Sequence, residues 1–186
     1  MTDYIRSYAD ISPCGRYRYL LEREWRGTHD RKNWEWMGFK DGAGTDVGDP
    51  KSVLFVMLNP STADGEADDP TIRRCVGFAK AWKYERLAVV NLYAYRATQP
   101  KDLFKAGDAM HGPRNQEVIE CAVRDAGIII CAWGAHATDW QAETVRGWMH
   151  QKPHFALGFT KGGKPRHPLY LPADSKPVRM PEGADA

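Results

Sequence analysis

Short, almost wholly apolar runs alternate along this chain with stretches carrying an apolar residue every three or four positions. Residues 52–58, Leu87–Leu92 and Ile128–Gly134 are such runs, the pattern of strands buried on both faces of a parallel sheet. Phe155-Ala156-Leu157-Gly158 predicts a fourth, shorter strand. After Asp69, a good N-cap, and Pro70, a good first helical residue, Ile72, Cys75, Val76, Ala79 and Trp82 fall on one helical face. Gly112-Pro113 is expected to open a second helix with Val118, Ile119, Ala122 and Val123 inward. Residues 138–150 predict a third, with Val145, Trp148 and Met149 on one side. Ahead of these, residues 7–26 read as a β-hairpin: Ser12-Pro13-Cys14-Gly15 is the turn, and Tyr17, Tyr19 and Leu21 alternate with charged residues. Residues 41–50 and the Gly/Pro-rich stretch 161–169 are expected to be loops, and 172–186 a loosely ordered tail. Residues 1–186 thus read as one α/β domain: three layers, α/β/α, around a central, mostly parallel sheet with an N-terminal hairpin.

Composition narrows the function classes. The chain has 186 residues, 42% hydrophobic and 11% aromatic, enough for one buried core and too apolar for disorder. A net charge of +2 is not that of a polybasic nucleic-acid binder. Its distribution is uneven, however. No acidic residue lies between Glu143 and Asp174, while Arg146, Lys152, Lys161, Lys164 and Arg166 do. That tract is either a phosphate-facing surface or an ordinary solvated one. The four cysteines form no C-x-x-C pair and have no metal-ligand spacing, so no metal is expected. Cys75, Cys121 and Cys131 sit among apolar neighbours and read as buried thiols of a reducing, cytoplasmic environment. The N-terminus does not resemble a signal peptide, no apolar run reaches membrane length, and Gly162-Gly163 fits no P-loop. No organic cofactor is expected.

The chemistry is expected where strands end. Leu54–Leu58 stops abruptly in Asn59-Pro60-Ser61-Thr62, and a polar loop leads to the helix start at Asp69-Pro70. Strand end, loop and helix N-terminus form the commonest small-ligand site of α/β proteins. The next runs also end in polar or glycine-bearing turns, at Asn91 and at Trp133-Gly134, and in a parallel sheet these ends share one edge. Arg73 and Arg74, in the first turn after Pro70, suit a phosphate at a helix N-terminus or a plain surface face.

Separated motifs in a fixed order then resemble one family. Leu58-Asn59-Pro60-Ser61-Thr62-Ala63-Asp64, Asp69-Pro70-Thr71, Asn91–Arg96, Ala132-Trp133-Gly134 and His167–Leu171 are similar to the bacterial and phage family called domain of unknown function 1643. More distantly, the motif order resembles the uracil-DNA glycosylase superfamily. Met57-Leu58-Asn59-Pro60-Ser61 takes the place of Gly-x-Asn-Pro-Gly, Asn91 that of a base-reading Asn, and His167-Pro168-Leu169 that of His-Pro-Ser. The glycines of the first motif and the serine of the last are replaced here.

That resemblance implies a nucleobase-directed enzyme, a DNA glycosylase-like hydrolase or a processor of a modified pyrimidine, with DNA or a nucleotide as partner. Asn59 would hold the attacking water, with Asp64 as an alternative base, and His167 would donate to the departing base. Asn91 would read the base, with Pro60, Ser61, Tyr93, Tyr95, Trp133 and Gly134 around it. Arg73, Arg74, Lys161, Lys164 and Arg166 would face phosphate. The residues themselves leave plainer roles open: Asn59 as a turn cap, Asn91 as a buried backbone partner, Trp133 as core. Two other readings stand beside the enzyme: a base-binding module without catalysis, and an enzyme of a small nucleotide-like metabolite.

Overall fold

The computed structural model describes residues 4–25, 49–149 and 152–181. In chain order the elements are β1 (Arg6–Ile11), β2 (Arg18–Glu24), β3 (Asp49–Met57), α1 (Pro70–Ala81), β4 (Arg86–Asn91), α2 (Pro100–Phe104), α3 (Asn115–Asp125), β5 (Ala126–Cys131), α4 (Asp139–Met149), β6 (His154–Ala156) and β7 (Val178–Arg179). Short 3-10 turns lie at Gly107–Met110 and Pro168–Tyr170.

The strands form one seven-stranded sheet in the order β1-β2-β4-β3-β5-β6-β7. The four inner strands β4, β3, β5 and β6 are parallel, as the apolar runs predict. The outer pairings are antiparallel: β1 with β2, β2 with β4, and β7 with β6. The sheet is therefore mixed, with a parallel centre and antiparallel edges. The expected hairpin is present but does not stand apart, because β2 extends the sheet beyond β4.

Side-chain alternation explains why the inner runs are apolar throughout. Val53, Phe55 and Met57 of β3 join Leu87, Val89, Ile128 and Ile130 in a core cluster with Ile72, Cys75, Phe78 and Ala79 of α1. Leu54 and Val56 join Ala88, Val90, Ile129 and Cys131 in a second cluster with Ile119 and Val123 of α3 and Val145 and Met149 of α4. Helices thus cover both faces, and a polar residue at either parity would lose its water.

Several local expectations shift. Asp69 caps α1 as expected, its side chain accepting from Ile72 N at 2.9 Å, with Pro70 next. Trp82 is the C-cap rather than a helical residue, and Phe78 is buried on the inward face. The second helix begins at Asn115, and only Ile119 and Val123 of its expected inward set are fully buried. Residues 41–48 of the expected loop lie outside the described residues, while 49–50 already belong to β3. Cys75 and Cys131 are buried, but Cys121 is half-buried beside Arg124. Of the expected loose tail 172–186, residues 178–180 are held against the sheet, and 182–186 lie outside the described residues. Met180 is 6% exposed and its N–H donates to His154 O, so β7 closes the β6 edge. Among the described residues, no helix is long and apolar enough to cross a membrane.

Candidate functional site

The sheet order builds a cleft at one edge. From β3 the chain moves to β4 on one side, then crosses to β5 on the other, so the loops after β3 and β5 diverge. Ligands of open α/β sheets bind at such a switch point, beyond the carboxyl ends of the strands. A cavity of about 600 Å³ opens there. Its lining includes Met57 at the end of β3, Leu58 and Asn59 after it, Asn91 at the end of β4, Trp133 and Gly134 after β5, Asp69, Thr71 and Ile72 at the α1 N-terminus, and Arg166 and His167 from the late loop. The strand ends expected to converge do so.

Asn59 is half-buried with its amide held in place. Nδ2 donates to Ala97 O at 2.7 Å and to Pro60 O at 3.0 Å. The amide group is fully used in these bonds, leaving Oδ1 as the polar atom Asn59 has for the cavity. Asn91 is 1% exposed, and its Nδ2 has no hydrogen-bond partner. The backbone around it is firmly held: Asn115 Nδ2 donates to Asn91 O and Leu92 O at 3.0 and 3.1 Å, and Gln141 Nε2 donates to Leu92 O at 2.9 Å. Asn91 is thus a fixed, desolvated donor in a ligand-sized space.

His167 reaches the cavity because the late loop packs on the Gly134 turn. Gly134 takes φ +76°, a conformation that favours glycine, and its N–H donates to Pro165 O at 2.9 Å. A Cβ at Gly134 would stand 3.6 Å from His167 Cβ, so the late loop lies directly on the turn. His167 Nδ1 accepts from Leu169 N at 3.3 Å. A ring accepting at Nδ1 carries the proton of its neutral form on Nε2, which makes Nε2 a donor. Burial depresses the His167 pKa below its ordinary value, opposed by the nearby Asp69 carboxylate, so the neutral ring is favoured.

The loop between Asn59 and Asp69 is staked by three arginines. Arg18 Nη1 donates to Ala63 O at 2.8 Å, and Arg23 Nη2 donates to Asp64 O at 2.6 Å while its Nε pairs with Asp68 at 2.8 Å. Arg96 reaches Ser61 O and Thr62 O, each at 3.4 Å. A polar loop fixed in this way presents its side chains with little reorganisation.

Other expected site residues are placed elsewhere. Asp64 lies outside the cavity lining, and its Oδ1 accepts from Glu66 N and Ala67 N, both at 2.8 Å. Those two bonds hold its carboxyl below the usual range, so it caps its own loop rather than offering a base. Pro60 and Tyr93 are buried away from the cavity; the Tyr93 hydroxyl bonds Thr138 Oγ1 at 3.0 Å. Tyr95 packs edge-on against Tyr17. Arg73 is exposed and donates to Asp68 O, while Arg74 donates to Leu171 O and covers the Phe78 ring. Arg74 therefore pins the His167–Leu171 segment to α1 instead of facing a phosphate. Lys164 is bound to Ala137 O and to Asp139, and Lys161 is exposed outside the lining. Ser61, Trp133, Gly134 and Arg166 do line the cavity.

Sequence reasoning missed Arg18 as a cavity residue and read Asp69 as a cap alone. In an alternating Arg16-Tyr17-Arg18-Tyr19 hairpin, either charge reads as solvent-facing. Arg18 is nevertheless 2% exposed, and nothing in the alternation marks it apart from Arg16. Tyr170, 78% exposed at the rim, also lay in a quoted motif without a role. No group of three or more His, Cys, Asp or Glu that could hold a metal occurs among the described residues.

The histidines carry a pH prediction. Burial depresses the pKa of His154 as well as that of His167, and His154 Nε2 is buried without a partner. In the unfolded chain both titrate near 6.5, so below that pH the unfolded state binds more protons than the folded one. Their contribution is complete above pH 6.5 and is lost as pH falls through the folded values. Thermal melts at pH 7.5 and pH 5 are expected to show a lower midpoint in acid, with a smaller drop in His154→Gln. Identical drops in the two proteins would remove His154 from the account.

The family model described as "Protein of unknown function (DUF1643)" matches residues 18–169. No curated protein and no solved structure matches the chain.

Proposed function

We propose that this chain, which belongs to the DUF1643 family, binds a nucleobase in the cavity and hydrolyses the N-glycosidic bond that joins the base to its sugar. The observation that carries this reading is Asn91, a buried amide whose Nδ2 lacks a partner, in the lining of a cavity large enough for a base and sugar. A desolvated donor of that kind is costly unless a ligand supplies the acceptor. The resemblance of the motif order to uracil-DNA glycosylases supports the same reading, as does the α/β scaffold with its site at the strand ends.

The residues divide the reaction among them. Asn59 Oδ1 holds a water against the sugar carbon. Asp69, the carboxylate that shares the cavity with Asn59, takes the place expected of Asp64 as acceptor of the water's proton. The water oxygen bonds to the sugar carbon, the carbon–nitrogen bond breaks, and the electron pair leaves with the base. His167 Nε2–H donates to that base as its charge develops, and Trp133 supplies an apolar wall. The products are a free base and a sugar bearing a hydroxyl.

Mass-spectrometric detection of released base from a panel of modified oligonucleotides and nucleotides tests this. Asn59→Ala is expected to lower release about 100-fold or more with folding intact. Asn59→Asp is expected to fail as well, because its oxygens would meet Ala97 O and Pro60 O in place of a donor. Full activity in Asn59→Ala would overturn the assignment.

A second reading, an enzyme of a free nucleotide, draws support from the basic residues. Arg74 and Lys164 are tied to other parts of the fold, and Lys161 lies away from the cavity, so among the described residues these cations form no free row leading from it. Activity on mononucleotides with indifference to oligonucleotides would select that reading.

A further inference from the structure

We infer that Arg18 forms an anion-binding subsite in the same cavity, so that the natural ligand carries a phosphate or another negatively charged group beside its base. The inference rests on the nucleobase reading for the second half of that statement and on Arg18 alone for the first.

Arg18 opens β2, immediately after the hairpin turn, and lines the cavity at 2% exposure. A guanidinium has five N–H donors in a planar fork. Here Nη1 is taken by Ala63 O at 2.8 Å, while Nε is buried with no partner. The neighbouring charges do not resolve this. Burial pushes the Arg18 pKa down to about 10, and Arg96 and Arg23 stand close enough to repel its charge as well. Asp69 attracts it, but Asp69 Oδ1 is committed to Ile72 N at 2.9 Å, at the N-terminus of α1. The positive end of the helix therefore already balances part of the Asp69 charge. Asp68 serves Arg23, and Asp64, which attracts Arg18 less than Asp69 does, has Oδ1 taken by its own loop.

A loop clamp alone does not need this arrangement. One bond to Ala63 O could come from a lysine or an amide, without a buried guanidinium whose Nε lacks an acceptor. A phosphate or carboxylate entering the cavity supplies acceptors in the geometry that a guanidinium matches. Arg166 at the rim adds a second positive charge on the path inward.

Binding of inorganic phosphate, of a panel of nucleosides, and of their 5′-monophosphates to the full chain tests the inference by calorimetry. The monophosphate is expected to bind at least tenfold more tightly than its nucleoside, with inorganic phosphate competing and added salt narrowing the gap. Arg18→Met is expected to erase that tenfold difference, lowering monophosphate affinity more than nucleoside affinity, and Arg18→Lys to restore part of it. Equal affinity of wild-type protein for nucleoside and monophosphate would overturn the subsite, with no variant needed if Arg18→Met does not fold. An equal loss for both ligands in Arg18→Met would also overturn it, making Arg18 a clamp only. Phosphate binding that depends on Arg18, with no nucleoside bound, would uphold the subsite and sink the nucleobase reading instead. No binding of any probe, phosphate included, would overturn the subsite. A single-stranded oligonucleotide arm separates the sources: tighter binding than the monophosphate places a backbone phosphate on Arg18, and weaker binding places a free nucleotide there.

Discussion

Asn91→Leu is expected to leave the folded protein as stable as before, or about 1 kcal/mol more stable, while ligand binding falls 10- to 100-fold or more. The two effects have one cause. Asn91 is 1% exposed with an unpartnered Nδ2, and a buried unpaired donor costs about 1–3 kcal/mol. Leucine of similar shape removes that penalty in the empty protein. In the complex it removes the donor that a base edge requires, and a site built to hydrogen-bond a ligand loses strongly when the bond cannot form. The backbone should not shift, since Asn115 and Gln141 hold the carbonyls of residues 91 and 92 independently of the Asn91 side chain. Urea denaturation with and without nucleoside measures both quantities on one sample. A loss of stability above about 2 kcal/mol with binding unchanged would make Asn91 a structural residue and remove the main support for a base pocket.

Arg23→Met should be the most damaging single change to the fold, lowering stability by about 3–5 kcal/mol. Arg23 has no exposed surface. Its Nε pairs with Asp68 at 2.8 Å, Nη2 holds Asp64 O at 2.6 Å, and Nη1 holds Glu22 O at 2.8 Å. Asp68, itself 12% exposed, also accepts from the Tyr4 hydroxyl. Removing the guanidinium leaves that carboxylate without its counter-charge and two carbonyls without their donors in a largely buried region, and releases the loop that presents Asn59 and Asp69. Replacing Asp68 by leucine together with Arg23→Met should recover part of the loss, because no unpaired charge then remains. Purely additive losses in that cycle would mean that the pair contributes packing rather than charge.

These expectations draw on different levels of the molecule. The inner strands were legible because both faces of the sheet are covered, and a strand buried twice must be apolar at every position. The N-terminus of α1 was equally legible: Asp69 and Pro70 act through local backbone geometry that any context preserves. The meeting of Asn59, Asn91, Trp133, Gly134 and His167 was foreseeable in outline, since ends of parallel strands share an edge. Two-residue β7 and five-residue α2 were not, being too short to carry a period.

Charged residues divided most sharply. Arg73, Arg74, Lys161 and Lys164 formed a plausible phosphate-facing set by position alone, yet Arg74 and Lys164 are held by carbonyls 97 and 27 residues away in the chain. Arg18 looked like an outward residue of a hairpin, and both it and Arg23 prove to be buried. A strand pattern states which residues alternate, but only the neighbour across the sheet decides whether a face meets water. The amino-acid sequence by itself determined the longer elements, the parallel centre of the sheet and the edge where the cavity opens, because those follow from short-range periodicity and capping. The tertiary structure decided which arginines stake the loop, which asparagine lacks a partner and which carboxylate shares its cavity, because each depends on contacts between residues that chain order keeps far apart.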